Sequence, residues 1–145
     1  IQNSKVNYLI VRSNFFGKGT NYRKSFSDYI LTNLKNKHKF SLWKNIFFSP
    51  VNIKTLSKVI LKMINSNQYG VFNIASNQQI SKYKFGKLIA KKFKYNQNLI
   101  IAKKFIYKNE EIKRPLNMSL SNKRFLYLYP SMKKELSIQK QIELI

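Results

Sequence analysis

The chain of 145 residues is 43% hydrophobic, with eleven Phe and nine Tyr. That is ample for one domain burying about 70% of its unfolded surface, and it excludes a disordered tail. With no cysteine and one histidine, it excludes disulfide scaffolds, Cys-based metal sites and most His-dependent catalysis. The formal charge of +23 comes almost wholly from lysines dispersed from Lys5 to Lys140, alongside heavy use of Asn and Ile; this is the mark of A/T-rich coding drift rather than of a nucleic-acid-binding face.

The opening "IQNSKV" lacks an initiator Met and runs almost at once into "NYLIV", so an upstream portion is expected. Tyr8 to Val11 form a short apolar run suited to a strand buried on both faces. "RSNFFGKG" then supplies a glycine-containing turn, and "SFSD" at 25–28 has the form of a capping box. Phe26, Tyr29, Ile30 and Leu34 follow on one helical face. "KFSLW" and "FFSPV" read as strands, with Pro50 marking an edge or strand end. A second helix carries Ile53, Leu56, Ile60, Met63 and Ile64. "VFNIA" at 71–75 is a strand, and Ser81 caps a third helix whose stripe is Phe85, Leu88, Ile89 and Phe93. "LIIAKKF" gives a further strand. Residues 106–120 read as irregular, and Pro130 and Ser131 open a last helix bearing Ile138, Ile142 and Ile145. Strands alternating with helices predict an α/β fold with mainly parallel pairing.

The turn has the outline of a phosphate loop without its spacing. A dinucleotide fingerprint needs three glycines as G-x-G-x-x-G, and a Walker loop needs G-x-x-x-x-G-K-[ST]. Gly17 and Gly19, separated by Lys18, satisfy neither. No complete catalytic constellation is present. Asp28 reads as a helix cap, Glu135 and Glu143 as surface ion-pair partners, and the adjacent Glu110 and Glu111 cannot flank a scissile bond. His38 sits among lysines at a helix end. Tyr83 and Lys87 have Tyr-x-x-x-Lys spacing, but on a helix whose Tyr packs. Two residues suit binding: Asn14, whose amide at a strand end can donate and accept, and Arg114, one of four arginines, able to clamp a phosphate with two parallel hydrogen bonds. Each also has a reading as a structural hydrogen bond in a loop. No apolar run approaches the roughly 20 residues of a membrane span.

Taken in order, "YLIVRSNFFGKG", "LWKNIFFSPVNIKTLSKVILKMI", "GVFNIASNQQISKYKFGKLIAKKF" and "KRPLNMSLSNKRF" resemble the C-terminal half of extended short-chain dehydrogenase/reductases acting on nucleotide sugars. The nearest likeness is to the dTDP-4-dehydrorhamnose reductase branch. The resemblance implies the C-terminal part of a Rossmann-like doubly wound sheet plus a small substrate-binding lobe over residues 1–145. It implies a cytoplasmic NAD(P)-dependent oxidoreductase working in surface polysaccharide precursor synthesis. NAD(P)H and the catalytic Tyr-x-x-x-Lys pair would belong to a part upstream of Ile1, so these residues alone would be inactive. It also implies a nucleotide-sugar substrate and a homodimer. Asn14, Phe15, Phe16 and Gly17 match the family's strand-end turn beside the sugar, Arg114 the Arg that reaches the nucleotide phosphates, and Pro50 the proline that starts a strand. Lys54 departs from an acidic family position. The alternatives are an epimerase or dehydratase of the same fold, or a non-catalytic basic module that binds nucleic acid.

Overall fold

The computed structural model describes residues 6–107 and 115–145. Among these, the strands pair as four two-stranded ladders, three parallel and one antiparallel. β1 (Leu9–Arg12) lies parallel to β6 (Gly70–Asn73), and β2 (Asn14–Phe16) is parallel to β5 (Pro50–Asn52). β3 (Phe40–Trp43) is parallel to β8 (Ile100–Lys103), while β4 (Phe47–Phe48) runs antiparallel to β7 (Ile80–Ser81). Parallel neighbours need long crossovers. Here the helices α1 (Phe26–Lys35), α2 (Ile53–Asn65) and α3 (Lys82–Lys92) lie within them.

Each helix starts where the sequence places a cap. The Ser25 hydroxyl accepts from the Asp28 N–H while the Asp28 carboxylate accepts from the Ser25 N–H, completing the expected capping box. Asn52 caps α2 and Ser81 caps α3 through their side chains. α2 buries Leu56, Val59 and Met63, leaving Ile53 and Ile64 exposed. The stripe is thus rotated from the one the apolar spacing suggests, with Val59 taking the inner place.

Two apolar clusters hold the chain together. One gathers Ile30 and Leu34 of α1, Phe85 and Ile89 of α3, and Phe16, Phe48 and Ile142. Its aromatic centre is Phe85, met edge-on by Phe16 at 5.0 Å and Phe48 at 5.3 Å, with Phe26 stacked at 5.9 Å. The other packs α2 against β6 through Val59, Met63 and Phe72, together with Phe125 and Leu136.

The C-terminal region differs from the single helix expected after Pro130. α4 (Lys123–Leu128) precedes that proline, α5 (Met132–Glu135) follows it, and α6 (Ile138–Glu143) starts anew from Ser137, whose hydroxyl accepts from the Lys140 N–H. The expected "FFSPV" strand is likewise divided at Ser49, so that β4 and β5 serve different ladders. Pro50, without an N–H, stands first in its strand, as its chemistry requires.

Candidate functional site

The division at Ser49 creates a polar junction between segments distant in sequence. Opposite Asn14 in the β2–β5 register stands Pro50, which has no N–H to give. The Ser49 N–H turns instead to the side chain of Asn14, donating to Oδ1 at 3.2 Å. The Ser49 hydroxyl in turn accepts from the Leu120 N–H at 3.4 Å. Three segments distant in sequence are thereby tied at one strand end. Asn14 spends only its acceptor on this tie; its Nδ2 has no partner among the described residues.

β4 extends the junction to both sides. On one edge it pairs with β7, and the Lys82 N–H donates to Ile46 O at 3.0 Å. On the other, the Phe47 N–H donates to Leu116 O at 2.7 Å and the Met118 N–H to Phe47 O at 2.9 Å. The segment that follows Pro115 therefore lies along β4. Arg114, Glu110 and Glu111 fall outside the described residues. Ser119 braces the strap that leaves Pro115, its hydroxyl meeting Asn117 Oδ1 at 2.6 Å and Gln79 Oε1 at 3.2 Å.

The glycine turn is wired inward. Gly17 O accepts from the Ser27 hydroxyl at 2.8 Å, and the Gly19 N–H donates to Asp28 Oδ2 at 2.7 Å. Partial burial pushes the Asp28 carboxyl up. Hydrogen bonds from the Ser25 and Gly19 N–H groups and the Ser25 hydroxyl, helped by the charge of Lys18, outweigh it and hold the carboxyl below the ordinary range. A side chain on Gly19 would collide with Arg23 O and Ser25 N, and one on Gly17 with the Ile53 side chain. Both glycines are there for close packing: neither has the positive φ that a turn exploiting glycine's freedom would show. Gly17 O and the Gly19 N–H are thus both engaged within the protein.

The two aromatic residues expected in the turn stand instead in strand β2, which pairs with β5, and they part company. Phe16 is buried against Phe85, whereas Phe15 is 64% exposed. Of the two, only Phe15 presents its ring at the surface; Phe16 is part of the core. Tyr83 and Lys87 form no catalytic pair: the Lys87 ammonium lies 5.4 Å from the Tyr83 ring centre and donates to Gln97 O. Glu143 pairs with Lys140 at 2.8 Å and His38 is exposed, as the sequence suggests. Among the described residues no group of His, Cys, Asp and Glu could hold a metal, and no helix is long and apolar enough to cross a membrane.

Sequence reasoning did not single out Ser49 as a partner of Asn14. A serine before a strand-opening proline signals that its N–H must seek a side-chain partner.

The profile of the RmlD substrate binding domain matches residues 1–140. The chain belongs to this family. Among solved structures, it is similar to dTDP-4-dehydrorhamnose reductase from Bacillus anthracis in complex with NADP, at 22% identity and a TM-score of 0.77, over 94% of this chain and 47% of that one. The reductase from Yersinia enterocolitica matches at 18% identity and a TM-score of 0.74, over 94% and 49%. A B. anthracis dTDP-glucose 4,6-dehydratase in complex with NAD matches at 12% identity and 0.65, over 94% and 43%. No match is found among curated protein sequences. This RmlD-family chain thus spans about half the length of the enzymes it resembles, and its fold is the Rossmann-like extended short-chain dehydrogenase/reductase fold.

Proposed function

We propose that these residues form the substrate-binding part of an NAD(P)-dependent nucleotide-sugar reductase, acting on a 4-keto sugar of the dTDP-4-dehydrorhamnose type. The observation that carries this reading is the family profile over residues 1–140; it takes in a strand end where Asn14 Nδ2 has no partner among the described residues and Phe15 is exposed. Asn14 Nδ2 donates to a phosphate or sugar oxygen, Phe15 packs on the sugar, and Arg114 clamps the diphosphate. The nicotinamide, held by residues upstream, supplies the hydride. The acid–base pair is upstream as well, because the Tyr83–Lys87 pair here is engaged in packing. What this chain contributes is orientation and binding energy.

Two experiments test the reading. In the full-length protein, Arg114→Ala raises KM for the nucleotide sugar by a factor matching about 2 kcal/mol, with kcat little altered. An unchanged KM removes Arg114 from the site. Purified residues 1–145 do not reduce a 4-keto nucleotide sugar with NADPH; turnover by this piece overturns the assignment of catalysis to upstream residues.

A further inference from the structure

A cavity of about 440 Å³ lies between α2 and the start of α5, and none of its lining residues belongs to the strand end described above. α2 contributes Thr55, Lys58 and Lys62, and the facing side contributes Ser131, Met132 and Glu135. The volume is within the range of small-molecule sites.

Thr55 sets this cavity apart. It is 3% exposed, and its hydroxyl is buried with no hydrogen-bond partner among the described residues. A serine or threonine on a helix can return its hydroxyl to the carbonyl one turn back. Ser57 in α2 and Ser66 at its C-cap do so, donating to Ile53 O and Lys62 O at 2.9 Å each. Thr55 makes no such bond, and buried polar groups are rarely left unmatched. The Tyr129 hydroxyl is buried and unmatched as well, and the Lys62 ammonium lies 5.1 Å from the centre of that ring.

The charges of the lining are unmatched too. Lys58 and Lys62 stand one turn apart on α2, where like charges repel. Among the described residues neither forms an ion pair with a carboxylate, Glu135 included. The Ser131 side chain makes no cap bond to α5. The lining therefore combines ammonium and hydroxyl donors with a single carboxylate acceptor. That combination suits a ligand with an anionic group at one end and hydroxyl donors elsewhere.

We propose that this cavity binds a small anion carrying hydroxyl groups, at a site separate from the one that takes the nucleotide sugar. The anionic group lies between Lys58 and Lys62 and relieves their repulsion. The Thr55 hydroxyl donates to the ligand, and a ligand hydroxyl donates to Glu135. A phosphate and a carboxylate share the chemistry required, and the test tells them apart. The proposal does not depend on the nucleotide-sugar reading.

The test is a calorimetric titration of the full-length protein with glucose 6-phosphate, gluconate and uncharged glucose. At least one of the two anions is expected to bind with a Kd of about 1 mM or tighter, and glucose about tenfold more weakly or not at all. The anion that binds more tightly identifies the charged group. Thr55→Val keeps the shape and removes the hydroxyl: affinity falls about fivefold, while Thr55→Ser stays within about twofold of wild type. The melting midpoint of Thr55→Val is expected at or above that of wild type, because no internal hydrogen bond is lost. Lys58→Gln and Lys62→Gln, at exposed positions, each weaken binding about fivefold, whereas Lys91→Gln, exposed on α3, leaves it unchanged. Saturating dTDP does not displace the anion. Binding of neither anion at about 10 mM, displacement by dTDP, or a loss for Lys91→Gln equal to that for Lys58→Gln overturns the site. A clearly lower melting midpoint for Thr55→Val assigns its hydroxyl to the fold and overturns its role here. Each of these failures leaves the reading of Asn14 and Phe15 standing.

Discussion

The C-terminal closure and the Asn14 strand end are built from the same kinds of polar residue and treat them in opposite ways. In the closure, Gln141 is wholly buried and uses both ends of its amide: Oε1 accepts from the Asn52 N–H at 2.7 Å, and Nε2 donates to Glu135 O at 2.8 Å. Lys92 places its ammonium on Ile142 O, Glu143 O and Ile145 O, closing the C-terminal turn of α6. Burial pushes the Lys92 pKa down and Lys54 repels it further, against the pull of Glu143. At the strand end, Asn14 uses only its oxygen, the Ser13 hydroxyl is buried without a partner among the described residues, and the Phe15 ring is exposed. Native structures leave few buried polar groups unmatched. The closure is saturated with internal partners; the strand end keeps polar groups unmatched among the described residues, and under the proposed reading these are the groups a ligand meets.

Variants in the two regions should therefore separate stability from binding. The largest stability loss is expected for Gln141→Ala, which removes a buried side chain and leaves the Asn52 N–H and Glu135 O without partners: about 3 kcal/mol by chemical denaturation, with ligand affinity of the folded fraction unchanged. Gly19→Ala comes next, at about 2 kcal/mol, because its methyl group meets backbone that cannot withdraw. Gly17→Ala should cost less than about 1 kcal/mol, since only the Ile53 side chain has to move. A Gly17 variant as damaging as the Gly19 variant contradicts this account of the turn.

Asp28→Asn removes the charged half of the α1 cap, for about 1 kcal/mol near neutral pH. Because the folded carboxyl lies below its ordinary range, the contribution is fully present above the unfolded aspartate value. It disappears as pH falls through that value and on through the folded one. The difference in stability between wild type and Asp28→Asn should accordingly shrink on acidification below about pH 4. A constant difference across that range contradicts the cap assignment. Asn14→Ala, also small in stability at about 1 kcal/mol or less, is expected to show the reverse balance, with a clear rise in KM for the nucleotide sugar.

The sequence disclosed what local chemistry decides. The capping box at Ser25 and Asp28, the Ser81 cap, the proline at a strand start and the parallel alternation of strands and helices all follow from residue type and spacing. What could not be read depends on partners distant along the chain. The rotation of α2 that buries Val59 is set by its packing on β6. The break between α5 and α6 turns on Ser137 and on the demand of Asn52, 89 positions from Gln141, for a buried acceptor. The sequence shows the two glycines only as members of a turn, and the approach of Arg23, Ser25 and Ile53 shows that they are packing glycines. Asn14 was legible as a strand-end amide. That its oxygen is already engaged, leaving the NH2 group without a partner among the described residues, depends on Ser49 and Pro50, 35 and 36 residues away.

The most direct test of the account is a crystal structure of the full-length protein with dTDP bound. The account predicts the diphosphate within hydrogen-bond distance, about 3 Å, of Asn14 Nδ2, beside Phe15. A diphosphate bound elsewhere, with Asn14 and Phe15 facing only solvent, contradicts it.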